Sequence, residues 1–162
     1  MPRWPKPENI KPSESREDWC WLAGIFEGEG TAVLRFNKSR WLNTPRRAYL
    51  YSSISQTNLE MLEEVRRIVG SGKVYLNKKR AGRNEKPLWV WYIACANARV
   101  FLNQLLPFMR SPHQREQVIL SLADDIQARA EGTRVRQATL TKCRIARWES
   151  HRAGISKEKV AS

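Results

Sequence analysis

The chain has 162 residues, a length that suits one compact domain. Its 29 Lys+Arg against 16 Asp+Glu leave a formal net charge of +13, while 41% hydrophobic residues, seven Trp among them, provide a core and exclude wholesale disorder. No apolar run reaches the roughly 18 residues of a membrane span, and the N-terminus lacks the apolar stretch of a secretory signal, so a cytoplasmic (microbial) or organelle-matrix protein is expected, with no membrane and no organic cofactor as partner.

Residues 1–14 hold four of the eight prolines and read as an extended arm. Ser15-x-x-Asp18 is a capping-box pattern that opens a helix through Trp19–Phe26, stopping in Gly28-Glu29-Gly30. Thr31–Asn37 alternates Ala32, Leu34 and Phe36 with Val33, Arg35 and Asn37, which predicts a strand. Arg47–Gln56 predicts a second, with Ala48, Leu50 and Ile54 facing one way and Arg47, Tyr49, Tyr51 and Ser53 the other. Thr57-x-x-Glu60 is a second capping box, followed by Met61, Leu62, Val65, Ile68 and Val69 at helical spacing and stopped by Gly70. Lys73–Asn77 and Leu88–Cys95 are strand-like around a polar turn. Within the second of these, Trp89 and Trp91 alternate with Val90 and Tyr92, which leaves open which pair is buried. Asn97 is placed to cap a helix carrying Val100, Phe101, Leu105 and Phe108, and Ser111-Pro112 opens another that reaches Glu131. Two hairpins separated by a helix make an α+β domain, one antiparallel sheet with helices on one face. The expected organisation is an arm (1–14), a domain (15–131) and a basic C-terminal extension (132–162).

The charges are segregated. No acid lies between Gly30 and Leu59, and Ser71–Arg115 has nine basic residues and one acid, Glu85. A merely solubilising surface interleaves both signs, so this pattern points to a nucleic acid, DNA or RNA. The sheet face opposite the core offers Arg35, Asn37, Arg47, Tyr49, Tyr51, Ser53, Lys73, Tyr75 and Asn77 and no carboxylate. Such a face can enter the major groove, where Arg, Asn, Lys and Ser read base edges. Val33 and the loop residues Arg40, Arg46, Lys79, Arg80 and Arg83 complete the candidate DNA-binding set. Cys20, Cys95 and Cys143 have no metal-ligand spacing and read as reduced thiols.

The segment Leu22-Ala23-Gly24-Ile25-Phe26-Glu27-Gly28-Glu29-Gly30 breaks two rules of helix stability. Glycine within a helix costs about 1 kcal/mol relative to Ala, and Gly24 and Gly28, four apart, would let another backbone approach closely. Carboxylates at a helix C-terminus face the negative end of its dipole. Local inconsistencies of this kind belong to functional sites.

This nonapeptide resembles the signature of the LAGLIDADG homing endonucleases, with Glu29 at its last acidic position. The resemblance covers roughly residues 15–131 and implies an αββαββα fold with a four-stranded antiparallel DNA-binding sheet. One motif is present; Leu122-Ala123-Asp124-Asp125-Ile126 lacks the glycines. The resemblance therefore implies a homodimer packed through Cys20, Ala23, Gly24, Glu27 and Gly28, and a double-strand endonuclease leaving 3′ overhangs. It also implies a Mg²⁺ site at Glu29 and the Gly28 carbonyl, with Mn²⁺ expected to substitute and Ca²⁺ to support binding without cleavage. Gln56 matches the family's water-positioning residue. The expected catalytic lysine has no counterpart, which leaves Arg110 and Arg115, or His113, as substitutes. The alternative is a non-cleaving binder on the same fold, an intron RNA maturase or a DNA-binding regulator.

Overall fold

The computed structural model describes residues 11–36, 48–78 and 86–130. The first ten residues of the arm and the basic extension lie outside this set. The elements follow the order α1 (Arg16–Glu29), β1 (Gly30–Phe36), β2 (Ala48–Gln56), α2 (Leu59–Val69), β3 (Lys73–Leu76), β4 (Trp89–Ala94), α3 (Cys95–Leu105), a 3-10 turn (Leu106–Phe108) and α4 (Pro112–Ala130). Their types and order are those expected from the pattern. The described residues fall into two units, one holding 11–35, 49–78 and 86–126 and the other 36, 48 and 127–130. Every element named here belongs to the first unit except Phe36, Ala48 and the last turn of α4.

The four strands lie in the order β1-β2-β4-β3. The central pair is antiparallel, Ser53 opposite Tyr92 and Ile54 opposite Trp91, and β3 pairs antiparallel with β4, Lys73 opposite Tyr92. Because strand side chains alternate, this register puts Leu50, Ser52, Ile54, Trp91 and Ile93 on one face, and all are buried. The helices pack there. Phe101 of α3 is the hub: its ring meets Trp19 and Phe26 of α1 at 6.5 and 5.8 Å and Trp91 of β4 edge-on at 5.2 Å. Ser121 of α4 donates to the Ala32 carbonyl at 2.9 Å, and Arg99 of α3 pairs at 2.8 Å with the buried Asp125 of α4. Asp124 and Asp125 are thus buried in α4 and belong to its packing.

The Trp89/Trp91 ambiguity resolves in favour of Trp91, which is fully buried. Its indole N–H needs a partner once removed from water, and the Ser71 carbonyl supplies one at 3.1 Å. Gly72 makes this possible, because a Cβ there would overlap the Trp91 ring. Gly70 ends α2 in the left-handed conformation, φ 71°, with its N–H on the Arg66 carbonyl at 2.9 Å.

Two local expectations need correction. The cap of α2 is Asn58, one residue beyond Thr57; its Oδ1 accepts from the Met61 amide at 3.3 Å. Helix α3 starts at Cys95 without a side-chain cap, and Asn97 lies inside it, buried and donating to Ser71 Oγ at 3.3 Å. A buried amide and a capping amide are the same residue type, and a distant serine decides between them. Helix α1 ends at Glu29 with Gly30 as its cap, inside the Gly28-Glu29-Gly30 stretch expected to stop it. The Ser15 cap is present, with Oγ accepting from the Asp18 amide at 3.3 Å.

Candidate active site and nucleic-acid interface

Along α1 the residues Trp19, Leu22, Ala23 and Phe26 are buried, which leaves Cys20, Trp21, Gly24 and Gly28 exposed on the other side. They recur at helical spacing and form one stripe. Trp21 keeps 41% of its surface in contact with solvent, and a Cβ added at Gly24 or Gly28 would meet nothing within 4 Å. The glycines therefore have no steric purpose within the described residues of one chain, although each weakens the helix. Ala23, expected on this stripe, is instead buried in the chain's own core.

Glu27 and Glu29 end the same helix, whose last turn has no basic residue. Two residues apart, they leave the axis in nearly opposite directions. The Glu27 carboxylate is committed within the chain: Oε1 accepts from the backbone amides of Arg110 and of Ser111, the latter at 2.6 Å. It ties the segment before α4 to the end of α1. Glu29 is exposed, and no described residue donates to it or pairs with it.

Gln56 is the last residue of β2 and half-buried. Ser52 donates to the Thr31 carbonyl at 3.0 Å, which sets β2 against β1, so Glu29 and Gln56 leave the sheet at the same end. Arg110 is exposed and anchored there through its own amide. Arg115 has another task. Its Nη1 donates to the carbonyls of Leu106 and Met109 at 3.0 and 3.3 Å, closing the end of the 3-10 turn. His113 is exposed in the first turn of α4.

Among the described residues no three His, Cys, Asp or Glu side chains gather as a metal site. One carboxylate per chain is nevertheless a fitting donor for a hard cation. Mg²⁺ binds oxygen and is commonly held by one or two carboxylates plus waters and substrate phosphates. The carbonyls of the last helical turn, Gly28 included, have no partner further along the helix. Glu29 and the Gly28 carbonyl thus supply two oxygen donors of the kind such an ion takes.

The opposite face of the sheet carries Val33, Arg35, Tyr51, Ser53, Lys73, Tyr75 and, from β4, Tyr92, with no acid among the described residues. Tyr49 has the same strand parity as Tyr51, and Asn77 follows β3, its amide bonded to the Leu88 carbonyl at 2.8 Å. Asn37, Arg40, Arg46, Arg47, Lys79, Arg80 and Arg83 lie outside the described residues. Tyr51 differs from the expected open side chain: it is only 6% exposed. The Arg35 guanidinium carbon sits 3.4 Å from its ring centroid, and Tyr92 stacks on it at 5.8 Å. Tyr92, which the sequence pattern did not single out, meets Tyr75 edge-on at 5.6 Å. Burial, reinforced by the neighbouring Tyr51, pushes the phenols of Tyr75 and Tyr92 above their ordinary range near pH 10. Both stay neutral at physiological pH, so this face keeps its positive sign.

No protein-family model and no curated protein sequence matches the chain. Solved structures do. The homing endonuclease I-CvuI in complex with its target is 20% identical with a TM-score of 0.54, over 67% of this chain and 68% of that one. The archaeal intron-encoded homing endonuclease I-Vdi141I complexed with DNA is 20% identical with a TM-score of 0.55, over 72% and 70%. The LAGLIDADG meganuclease I-CpaMI bound to uncleaved DNA is 18% identical with a TM-score of 0.56, over 80% of this chain and 43% of that one. At such identities the likeness is one of fold.

Proposed function

We propose that this chain, built on the LAGLIDADG homing-endonuclease fold, is a site-specific, Mg²⁺-dependent endonuclease that cuts both strands of duplex DNA as a homodimer. The observation that carries this reading is the exposed stripe of α1. Cys20, Trp21, Gly24 and Gly28 offer open space and apolar surface, and the stripe ends beside an exposed carboxylate. Two copies packed through it would bring two Glu29 carboxylates together at the negative ends of two helices. They would repel each other unless a divalent cation lay between them. The site so formed would face a partly symmetric target, and cleavage on opposite strands would leave 3′ overhangs.

Glu29 and the Gly28 carbonyl would hold the ion, which when bound polarises the scissile phosphate and makes attack by water easier. Gln56 would orient that water. Arg110, fixed by Glu27 to the end of α1, is the better candidate for the basic role, because Arg115 Nη1 is occupied by two carbonyls. The sheet face would read the major groove while Lys and Arg neutralise phosphates, so affinity should fall steeply with salt.

The test is cleavage of a randomised duplex library in Mg²⁺ and in Ca²⁺, with Glu29→Gln in parallel. Cutting in Mg²⁺ at a pseudo-palindromic site, binding without cutting in Ca²⁺, and loss of cutting with DNA binding retained in the variant are expected. Undiminished cutting by Glu29→Gln would remove the metal assignment. Preference for structured RNA, with no cutting in Mg²⁺, would select a non-cleaving maturase or regulator instead.

A further inference from the structure

We propose that Arg35 reads a guanine in the major groove, and that Tyr51 and Tyr92 are positioning residues that hold its guanidinium flat for that purpose. The proposal rests on the DNA-binding reading above and names the base that one residue of the face recognises. At 3.4 Å from the Tyr51 centroid the guanidinium carbon is at the contact distance of two π-systems. Only a parallel stack fits there, so the N–H donors of Arg35 point outward in the plane of the group.

The ring beneath is immobilised in turn. Tyr51 stacks on Tyr92 with 17° between their planes, and Tyr75 closes the row at 74°. The row takes one residue from each strand in the order β1, β2, β4, β3, so it crosses the whole sheet. Ordering of this kind removes side-chain freedom before any ligand arrives, which is the entropy a flexible arginine would otherwise lose on binding.

The donors are also unspent. Arg35 is exposed, and among the described residues it makes no ion pair and no hydrogen bond. Covering Tyr51 requires no cation at the end of the row; an aliphatic side chain would cover it equally well. A flat guanidinium presents two parallel N–H groups. Of the four bases, only guanine offers two acceptors side by side in the major groove, O6 and N7. A phosphate can take the same fork but carries no sequence information, so base preference separates the two contacts.

Selection from a randomised duplex library, performed for the whole chain and for Arg35→Ala, Arg35→Lys, Tyr92→Leu and Tyr92→Phe, tests this. The unaltered chain should enrich guanine at one position of each half-site. Arg35→Ala and Arg35→Lys should each lower that preference by about ten- to a hundredfold and leave the other positions unchanged. Tyr92→Leu should weaken the same position alone, and Tyr92→Phe, which keeps the ring, should restore it. A uniform loss of affinity for all sequences in Arg35→Lys would mean a phosphate contact and overturn the proposal. An enriched site that Arg35→Ala leaves intact at every position would overturn it while sparing the DNA-binding reading. Failure of the folded, unaltered chain to enrich any duplex would remove both.

Discussion

At the start of α1 the acids sit where a helix favours them. Glu17 and Asp18 lie in the first turn, Ser15 caps it, and Asp18 accepts from the Ser13 hydroxyl at 2.6 Å and from Arg67 at 3.1 Å. At its finish Glu27 and Glu29 face the negative end of the dipole with no basic residue in the last turn. Glu27 compensates by accepting two backbone amides from the segment before α4; Glu29 has no such partner among the described residues. One helix thus has an end arranged for stability and an end that departs from it. The departure is confined to the single carboxylate that the fold leaves pointing outward, next to two glycines with open space around them.

The most severe way to break this contrast is Glu29→Gln. Cleavage should fall by at least about a hundredfold, the scale of losing one electrostatic contact to a reacting phosphate, while the thermal midpoint stays level or rises slightly. Plasmid cutting and a melting curve on the same sample check both halves. Glu27→Ala should behave in the opposite manner. Two amides lose their acceptor, so denaturant unfolding should show a loss of about 2–3 kcal/mol. Ser15→Ala removes the cap at the other end and should cost about 1 kcal/mol in the same assay.

The smallest expected effect is one of acidity. The Ser13 hydroxyl, then Arg67, holds the Asp18 carboxyl below its ordinary value, and Arg67 holds down Glu64; the same two carboxylates raise the Arg67 guanidinium. A carboxyl depressed by folding contributes stability that is present above its unfolded pKa, near 4, and is lost as pH falls through the lowered value. The contribution of this cluster should therefore fade as pH falls below about 4, and Arg67→Met should lessen that acid loss. Because these groups are exposed, 1 M salt should weaken the difference between the two proteins.

How far the sequence could be read depended on the distance between partners. The alternation in β1 and β2 marked Ala32, Leu34, Leu50 and Ile54 as buried, and they are, because strand periodicity is written in neighbouring residues. The Ser15 cap was legible for the same reason. Tyr51 was placed on the open face correctly but not seen to be covered, since Arg35 and Tyr92 reach it from two other strands. Tyr92 itself went unassigned while the burial of its strand was undecided.

The candidate site divides in the same way. The nonapeptide announced an unusual helix end, because glycines and glutamates in a helical register are anomalous wherever they occur. That Glu27 turns inward is invisible along the chain: the amides it binds belong to Arg110 and Ser111, 83 and 84 residues away. Arg115 looked equal to Arg110 as a basic residue until the fold brought the Leu106 and Met109 carbonyls to its guanidinium.

From the sequence alone came the element types and their order, the basic character of the molecule and the motif, all carried by composition and short-range period. Only the tertiary structure decided the strand order, which glutamate stays outward and which tyrosines support Arg35. Those outcomes depend on which distant groups a folded backbone brings within a few ångströms, and no local spacing encodes that.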